Sequence, residues 1–95
     1  MTQITHWING ALDTKKPERT GDIYNPATGK VTGTVAFGNA ATVDSAVSAA
    51  TTAFAEWRHS SLTKRTQVLF AFRELVAQNK EKIAALITAE HGKVL

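Results

Sequence analysis

The run Ser61–Lys93, SLTKRTQVLFAFRELVAQNKEKIAALITAEHGK, limits the fold of this chain more than any other stretch. Leu62, Leu69, Phe72 and Val76 recur at helical spacing, and Val68, Phe70 and Leu75 widen the same apolar face. After Asn79 a second period begins with Ile83, Leu86, Ile87 and Glu90. Two helices are therefore expected, about 61–78 and 80–91. Each has an apolar face that has to be buried against something. Ser60 or Ser61 caps the first helix, and Asn79 breaks the run. Gly92 ends the second in a left-handed conformation, with His91 and Lys93 at the negative end of its dipole.

A third helix is expected upstream, about 42–57. Val43, Val47, Ala50, Phe54 and Trp57 fall on one stripe. Thr42 is the candidate N-cap, with Asp44 complementing the dipole in the first turn. The alanines in this stretch allow a neighbour to approach closely. Before it, about 4–38, the pattern is that of short strands. Ile4–Ile8 runs into Asn9-Gly10, a pair suited to a type I′ turn, and Ala11-Leu12 returns as the second arm of a hairpin. Such a hairpin is marginal by itself, so Trp7 or Ile8 has to dock on other structure. Asp13–Gly21 is polar, contains Pro17 and is expected as a loop. Asp22–Tyr24 is a short strand, and Asn25–Lys30 (NPATGK) has turn chemistry. Val31–Phe37 alternates, with Val31, Gly33, Val35 and Phe37 on one face; Gly33 inside it implies a bulge or a close backbone approach.

Four strands followed by three helices imply α+β, or a peripheral piece of a larger α/β domain. Ninety-five residues suffice for one small domain. The final Lys93-Val94-Leu95 resumes an apolar pattern without a polar tail. Residues 1–95 are accordingly expected to be a segment rather than a complete domain.

The chemistry-bearing patterns are sparse. There is no cysteine, which excludes disulfides, thiolate metal sites and a cysteine nucleophile in these residues. Gly29-Lys30 and Gly92-Lys93 lack a phosphate-loop context, and Gly10, Gly21, Gly29, Gly33 and Gly38 do not make a dinucleotide fingerprint. His6, His59 and His91 lie far apart without metal-ligand spacing. Ser45, Ser48, Ser60 and Ser61 fall in helices or caps rather than on a nucleophile elbow. Trp7 and Trp57 are expected as core residues, and Arg65 and Arg73 on the solvated side of their helix. The net charge is +3 with a pI near 9.5, but the basic residues are scattered, unlike a nucleic-acid footprint. The N-terminal residues do not form a signal peptide, and no apolar run reaches the length of a membrane span. A cytoplasmic chain that binds neither membrane nor nucleic acid is expected. No catalytic, cofactor-binding or metal-binding residue is assigned from these patterns.

The segments HWING, YNPATGKVTGTV, VDSAVSAATTAFAEW, KRTQVLFAFRELV and ITAEHGKVL, taken in that order, resemble the N-terminal part of the aldehyde dehydrogenase superfamily. RTQVLFAFRELV and ITAEHGKVL are most similar to the CoA-acylating methylmalonate-semialdehyde dehydrogenases. The resemblance implies a large α/β enzyme with an NAD-binding Rossmann-like domain, a catalytic domain and an oligomerisation hairpin, assembled as a homotetramer. It implies a cysteine thiolate that attacks the aldehyde, hydride transfer to NAD, and transfer of the acyl group to CoA with loss of carbon dioxide. It also implies a role in valine or inositol catabolism. The family's catalytic cysteine, oxyanion-hole asparagine, cofactor lysine and NAD-site glycines all lie later in its sequence, so no residue here inherits a catalytic or cofactor role. NAD and CoA belong to the full-length enzyme, and the partner of this segment is the remainder of that chain. By the same resemblance, some relatives hold a monovalent cation at positions matching the Ile23 and Tyr24 carbonyls and Glu90. The residues alone leave Glu90 as a capping or surface carboxylate. Two rival readings are another aldehyde dehydrogenase branch that makes a free acid, and a stand-alone α+β interaction module.

Overall fold

The computed structural model describes residues 2–95. Five strands precede three helices: β1 (Thr2–Ile4), β2 (Trp7–Ile8), β3 (Ala11–Leu12), β4 (Arg19–Tyr24), β5 (Val31–Phe37), α1 (Ala40–Trp57), α2 (Leu62–Gln78) and α3 (Lys80–His91). The extra strand corrects the N-terminal expectation. Ile4 does not belong to the hairpin. It ends β1, which runs parallel to β5 and pairs Thr2 with Gly33 and Ile4 with Val35. The hairpin proper is β2–β3, with Trp7 opposite Leu12 and Ile8 opposite Ala11. Asn9 and Gly10 both take positive φ, 54° and 77°, as the type I′ turn requires.

The main sheet has the order β1-β5-β4. β4 starts at Arg19, inside the stretch expected to be loop. Arg19 pairs with Phe37 and Thr20 with Ala36, so β5 recruits polar residues that carry no strand period of their own. The Arg19 guanidinium lies over the Phe37 ring, 5.9 Å from its centroid, and donates to the Gly38 carbonyl at 3.2 Å. Near the other end the register slips: Ile23 faces Gly33 but Tyr24 faces Val31. Thr32 is the extra residue of this bulge, and its hydroxyl donates to the Ile23 carbonyl at 3.3 Å. Gly33 is also the point of closest approach. A Cβ there would sit 2.5 Å from the Thr2 carbonyl oxygen, so any side chain would push β1 off the sheet.

The β4–β5 turn is closed locally. Asn25 donates from its backbone to Lys30 and accepts from Gly29, at 2.8 and 2.7 Å, and its side-chain oxygen accepts from Ala27 N–H at 2.8 Å. This is an Asx turn followed by a tight return.

The helix caps divide between agreement and correction. Asn39, not Thr42, caps α1. Its side chain accepts from the Thr42 N–H at 2.9 Å while the Thr42 hydroxyl accepts from the Asn39 N–H at 3.2 Å, a reciprocal capping box. Asp44 consequently lies beyond the first turn. The sequence pattern missed this because Asn39 follows Gly38, a dipeptide that also ends strands. Ser61 caps α2, accepting from Lys64 N–H at 3.1 Å. Gly92 ends α3 with φ +87°, and a Cβ there would sit 3.3 Å from the Pro26 ring, bringing the end of α3 against the Asn25–Lys30 turn.

These elements hardly form a core. Among the described residues the one buried apolar side chain is Ala36, 6% exposed. The radius of gyration is 17.1 Å and the extents are 49 × 35 × 16 Å, a slab. A compact chain of this length would have a radius near 12 Å.

Candidate functional site

The most conspicuous feature of the fold is an uncovered apolar layer. On α1, Val43, Val47, Phe54 and Trp57 form the expected stripe, and all four are exposed. On α2, Leu69 and Phe72 are 66% and 64% exposed. On α3, Ile83, Leu86 and Ile87 are exposed as well. α1 touches the sheet side at β2, and α2 meets α3 near their junction. Of Trp7 and Ile8, one of which is expected to dock, Ile8 is half-buried and Trp7 stands 68% exposed.

Continuous helix over Leu62–Gln78 corrects two placements on α2. Residues two apart are rotated by about 200°, so Phe70 lies opposite Phe72 and does not widen its face. Arg65 lies in the same row as Leu69, Phe72 and Val76, at spacings of four, three and four, and not on the polar side. Its charge is turned out of that row. The guanidinium donates to the Ser60 carbonyl at 3.1 Å and the Arg58 carbonyl at 3.3 Å, tying down the α1–α2 connection. Arg58 lies over the Phe54 ring, 5.6 Å from its centroid.

The polar candidates do not converge. Among the described residues no three His, Asp or Glu side chains gather into a group that could hold a metal ion. His59 is in the α1–α2 connection, its N–H donating to the Glu56 carbonyl at 3.1 Å, and His91 is the last residue of α3. His6 lines a cleft of about 450 Å³ between the hairpin and the start of α1, together with Asp13, Lys16, Asn39 and Ser45. The Asp13 carboxylate accepts from the Lys15 N–H at 2.9 Å, and Asn39 is spent on its cap. Ser61 is likewise a cap, and Ser45 and Ser48 are mid-helix. None sits on a strand-to-helix elbow.

Ile23, Tyr24 and Glu90 belong to the two elements that meet at Pro26 and Gly92. The Ile23 carbonyl already accepts the Thr32 hydroxyl. Glu90 is exposed in the last turn of α3, where the helix dipole disfavours a carboxylate and favours a cation.

This order of strands and helices has counterparts in known proteins. The sequence profile of the aldehyde dehydrogenase family matches residues 13–95. The chain belongs to the aldehyde dehydrogenase family. It is 39% identical over 95 residues to the malonate-semialdehyde dehydrogenase of Pseudomonas aeruginosa, covering all of this chain and 19% of that one. Its fold superposes with a TM-score of 0.91 on the crystal structure of methylmalonate-semialdehyde dehydrogenase from Oceanimonas doudoroffii, at 42% identity, covering 96% of this chain and 18% of that one. A putative methylmalonate-semialdehyde dehydrogenase from Sinorhizobium meliloti, solved in complex with NAD, gives 0.91 at 33% identity, with 96% and 18% covered. The chain thus spans about a fifth of the length of the aldehyde dehydrogenases it matches and corresponds to their N-terminal part. Its class is α/β, aldehyde dehydrogenase-like.

Proposed function

We propose that this chain is the N-terminal supporting layer of an NAD-dependent, CoA-acylating semialdehyde dehydrogenase. That enzyme converts methylmalonate or malonate semialdehyde and CoA to propanoyl-CoA or acetyl-CoA with release of carbon dioxide, in valine or inositol breakdown. The observation that carries the reading is the TM-score of 0.91 over 96% of the chain at 42% identity, combined with helices whose apolar faces have no cover within these residues. A chain that keeps an enzyme's local geometry without its core has the form of a layer over another domain.

The assignment of chemistry follows from the residues. NAD accepts hydride and CoA accepts the acyl group, and in this reading both are held by the remainder of the enzyme. The reaction needs a thiolate, which leaves well enough to form and release a thioester. This chain contains no cysteine, so the thiolate comes from the remainder of the enzyme. The role of these residues is positional, and the chain alone is inactive. The full-length enzyme is a cytoplasmic homotetramer in this reading. Glu90 with the Ile23 and Tyr24 carbonyls forms a weak monovalent-cation site. Among the described residues, no helix is long and apolar enough to cross a membrane.

A graft tests the reading. The matched N-terminal fifth of the Pseudomonas relative is replaced by this chain, and the full-length chimera is assayed for NADH and acyl-CoA with malonate semialdehyde and CoA. A folded, active chimera that makes acetyl-CoA is the expected result. A chimera that expresses but does not fold would overturn the layer role.

A further inference from the structure

We infer that the 95-residue chain, when on its own, pairs with a second copy of itself through the apolar row of α2. The accessible surface is 8148 Å². A compact protein of 10.2 kDa exposes about 5,300 Å², so roughly 2,800 Å² per chain lies beyond what folding to a compact state would leave. A stable dimer buries about 800 Å² on each partner, so the excess is several times what self-association needs.

Four surfaces could take the second copy: the α1 stripe, whose Phe54 ring lies under the Arg58 guanidinium, the short 12-residue α3, the sheet edges and α2. The sheet offers its edges β1 and β4. β1 has only three residues, and β4 carries Arg19 and Asp22 beside a bulge, features that blunt edge pairing. α2 offers Leu69, Phe72, Leu75 and Val76 on one side of a 17-residue helix, all exposed. Arg65, the one cation within that row, has its guanidinium bonded to the Ser60 and Arg58 carbonyls. The Arg65 guanidinium is therefore directed at backbone carbonyls, and the charges that an identical row meets are Lys64 and Arg73 at its edges, on a chain of net charge +3. An antiparallel, two-fold pairing of α2 with α2 buries this row on both copies at once and closes the assembly at two.

Sedimentation velocity over a hundredfold range of concentration tests the pairing, with circular dichroism confirming helix content in each variant. The expected result is a monomer–dimer equilibrium in which Phe72→Asp weakens dimerisation at least tenfold while Phe70→Asp, on the opposite side, changes it less than threefold. A monomer throughout, equal responses to both substitutions, or growth past the dimer would overturn the inference. If Phe72→Asp loses its helix, oxidation of single-cysteine variants decides instead, because the chain has no other thiol. Phe72→Cys, at the centre of the row and so opposite its own copy across the two-fold axis, should form a disulfide-linked dimer at least ten times faster than Val43→Cys on α1, and equal rates would refute the α2 seam.

Discussion

The strand half and the helical half of this molecule meet their backbone requirements in different ways, and both leave apolar side chains uncovered. In residues 2–38 much of the structure is made by pairing: β4 exists because β5 offers it a ladder, and β1 because Gly33 admits the Thr2 carbonyl. In residues 40–91 each helix is complete as a helix, capped by Asn39 and Ser61 and ended by Gly92, yet its apolar residues face open space. Local rules are enough to make the helices. They are not enough to stabilise them, since most helical stability in proteins comes from packing of the apolar face. The strands also expose Ile4, Trp7, Leu12, Tyr24 and Phe37, so burial is missing on both sides, and the helical side differs in needing no distant partner for its backbone.

The largest effect that would sharpen this contrast is functional. The isolated chain should yield no NADH with any semialdehyde, with or without CoA, and calorimetric titration with NAD should give no heat above dilution. Turnover, or micromolar NAD binding by a compact monomer, would mean that the helices are not waiting for a cover. Next in size is the covered state itself. In the full-length chimera, Phe72→Ala should lower stability to denaturant by about 3–5 kcal/mol, as for a buried aromatic. A loss under about 1 kcal/mol would put Phe72 at the surface and break the comparison.

Smaller effects test the local side. Asn39→Ala removes the side-chain half of the α1 capping box, leaving the residue-39 N–H bonded to the Thr42 hydroxyl, and should cost about 1 kcal/mol in the chimera, read from the shift of the denaturation midpoint. Thr42→Ala should cost less, since the Asn39 oxygen keeps its bond to the residue-42 N–H; the reverse order would restore Thr42 as the principal cap. The smallest effect concerns Glu90. Potassium or sodium should stabilise the chimera slightly, and Glu90→Gln should abolish that dependence. The same salt response in both proteins would remove the cation site.

What the sequence made legible follows the same division. The hairpin turn, the α1 stripe, the Asn79 break and the left-handed Gly92 could be anticipated because each depends on a residue and its near neighbours. Features that needed a distant partner could not. Arg19-Thr20-Gly21 has no strand period and becomes strand only through Val35–Phe37. Ile4 left the hairpin for the same reason, drawn to β5 across some thirty residues. Arg65 reads as a residue of the polar side because a cation within an apolar row has no evident partner until the Ser60 and Arg58 carbonyls are brought to it. Of the candidate site, the apolar faces were visible in the pattern, and so was their need for cover from outside these residues, because the chain offers too little other apolar surface to bury them. Phe70 is a different kind of miss: helical rotation alone separates it from Phe72.

The joint between α2 and α3 is a single residue. The Asn79 N–H is shared between the Leu75 and Val76 carbonyls, its side-chain amide also donates to Leu75, and its own carbonyl accepts from Ile83. One residue leaves no slack in which to absorb a change of length. Adding or deleting a residue there would turn α3 by about 100° about its axis, carrying Ile83 and Ile87 out of phase with Phe72. The polar stretch around Pro17 has no such constraint. Natural changes of length should therefore accumulate before β4 and be almost absent at position 79, so that this asparagine acts less as a linker than as the fixed phase reference between two gears.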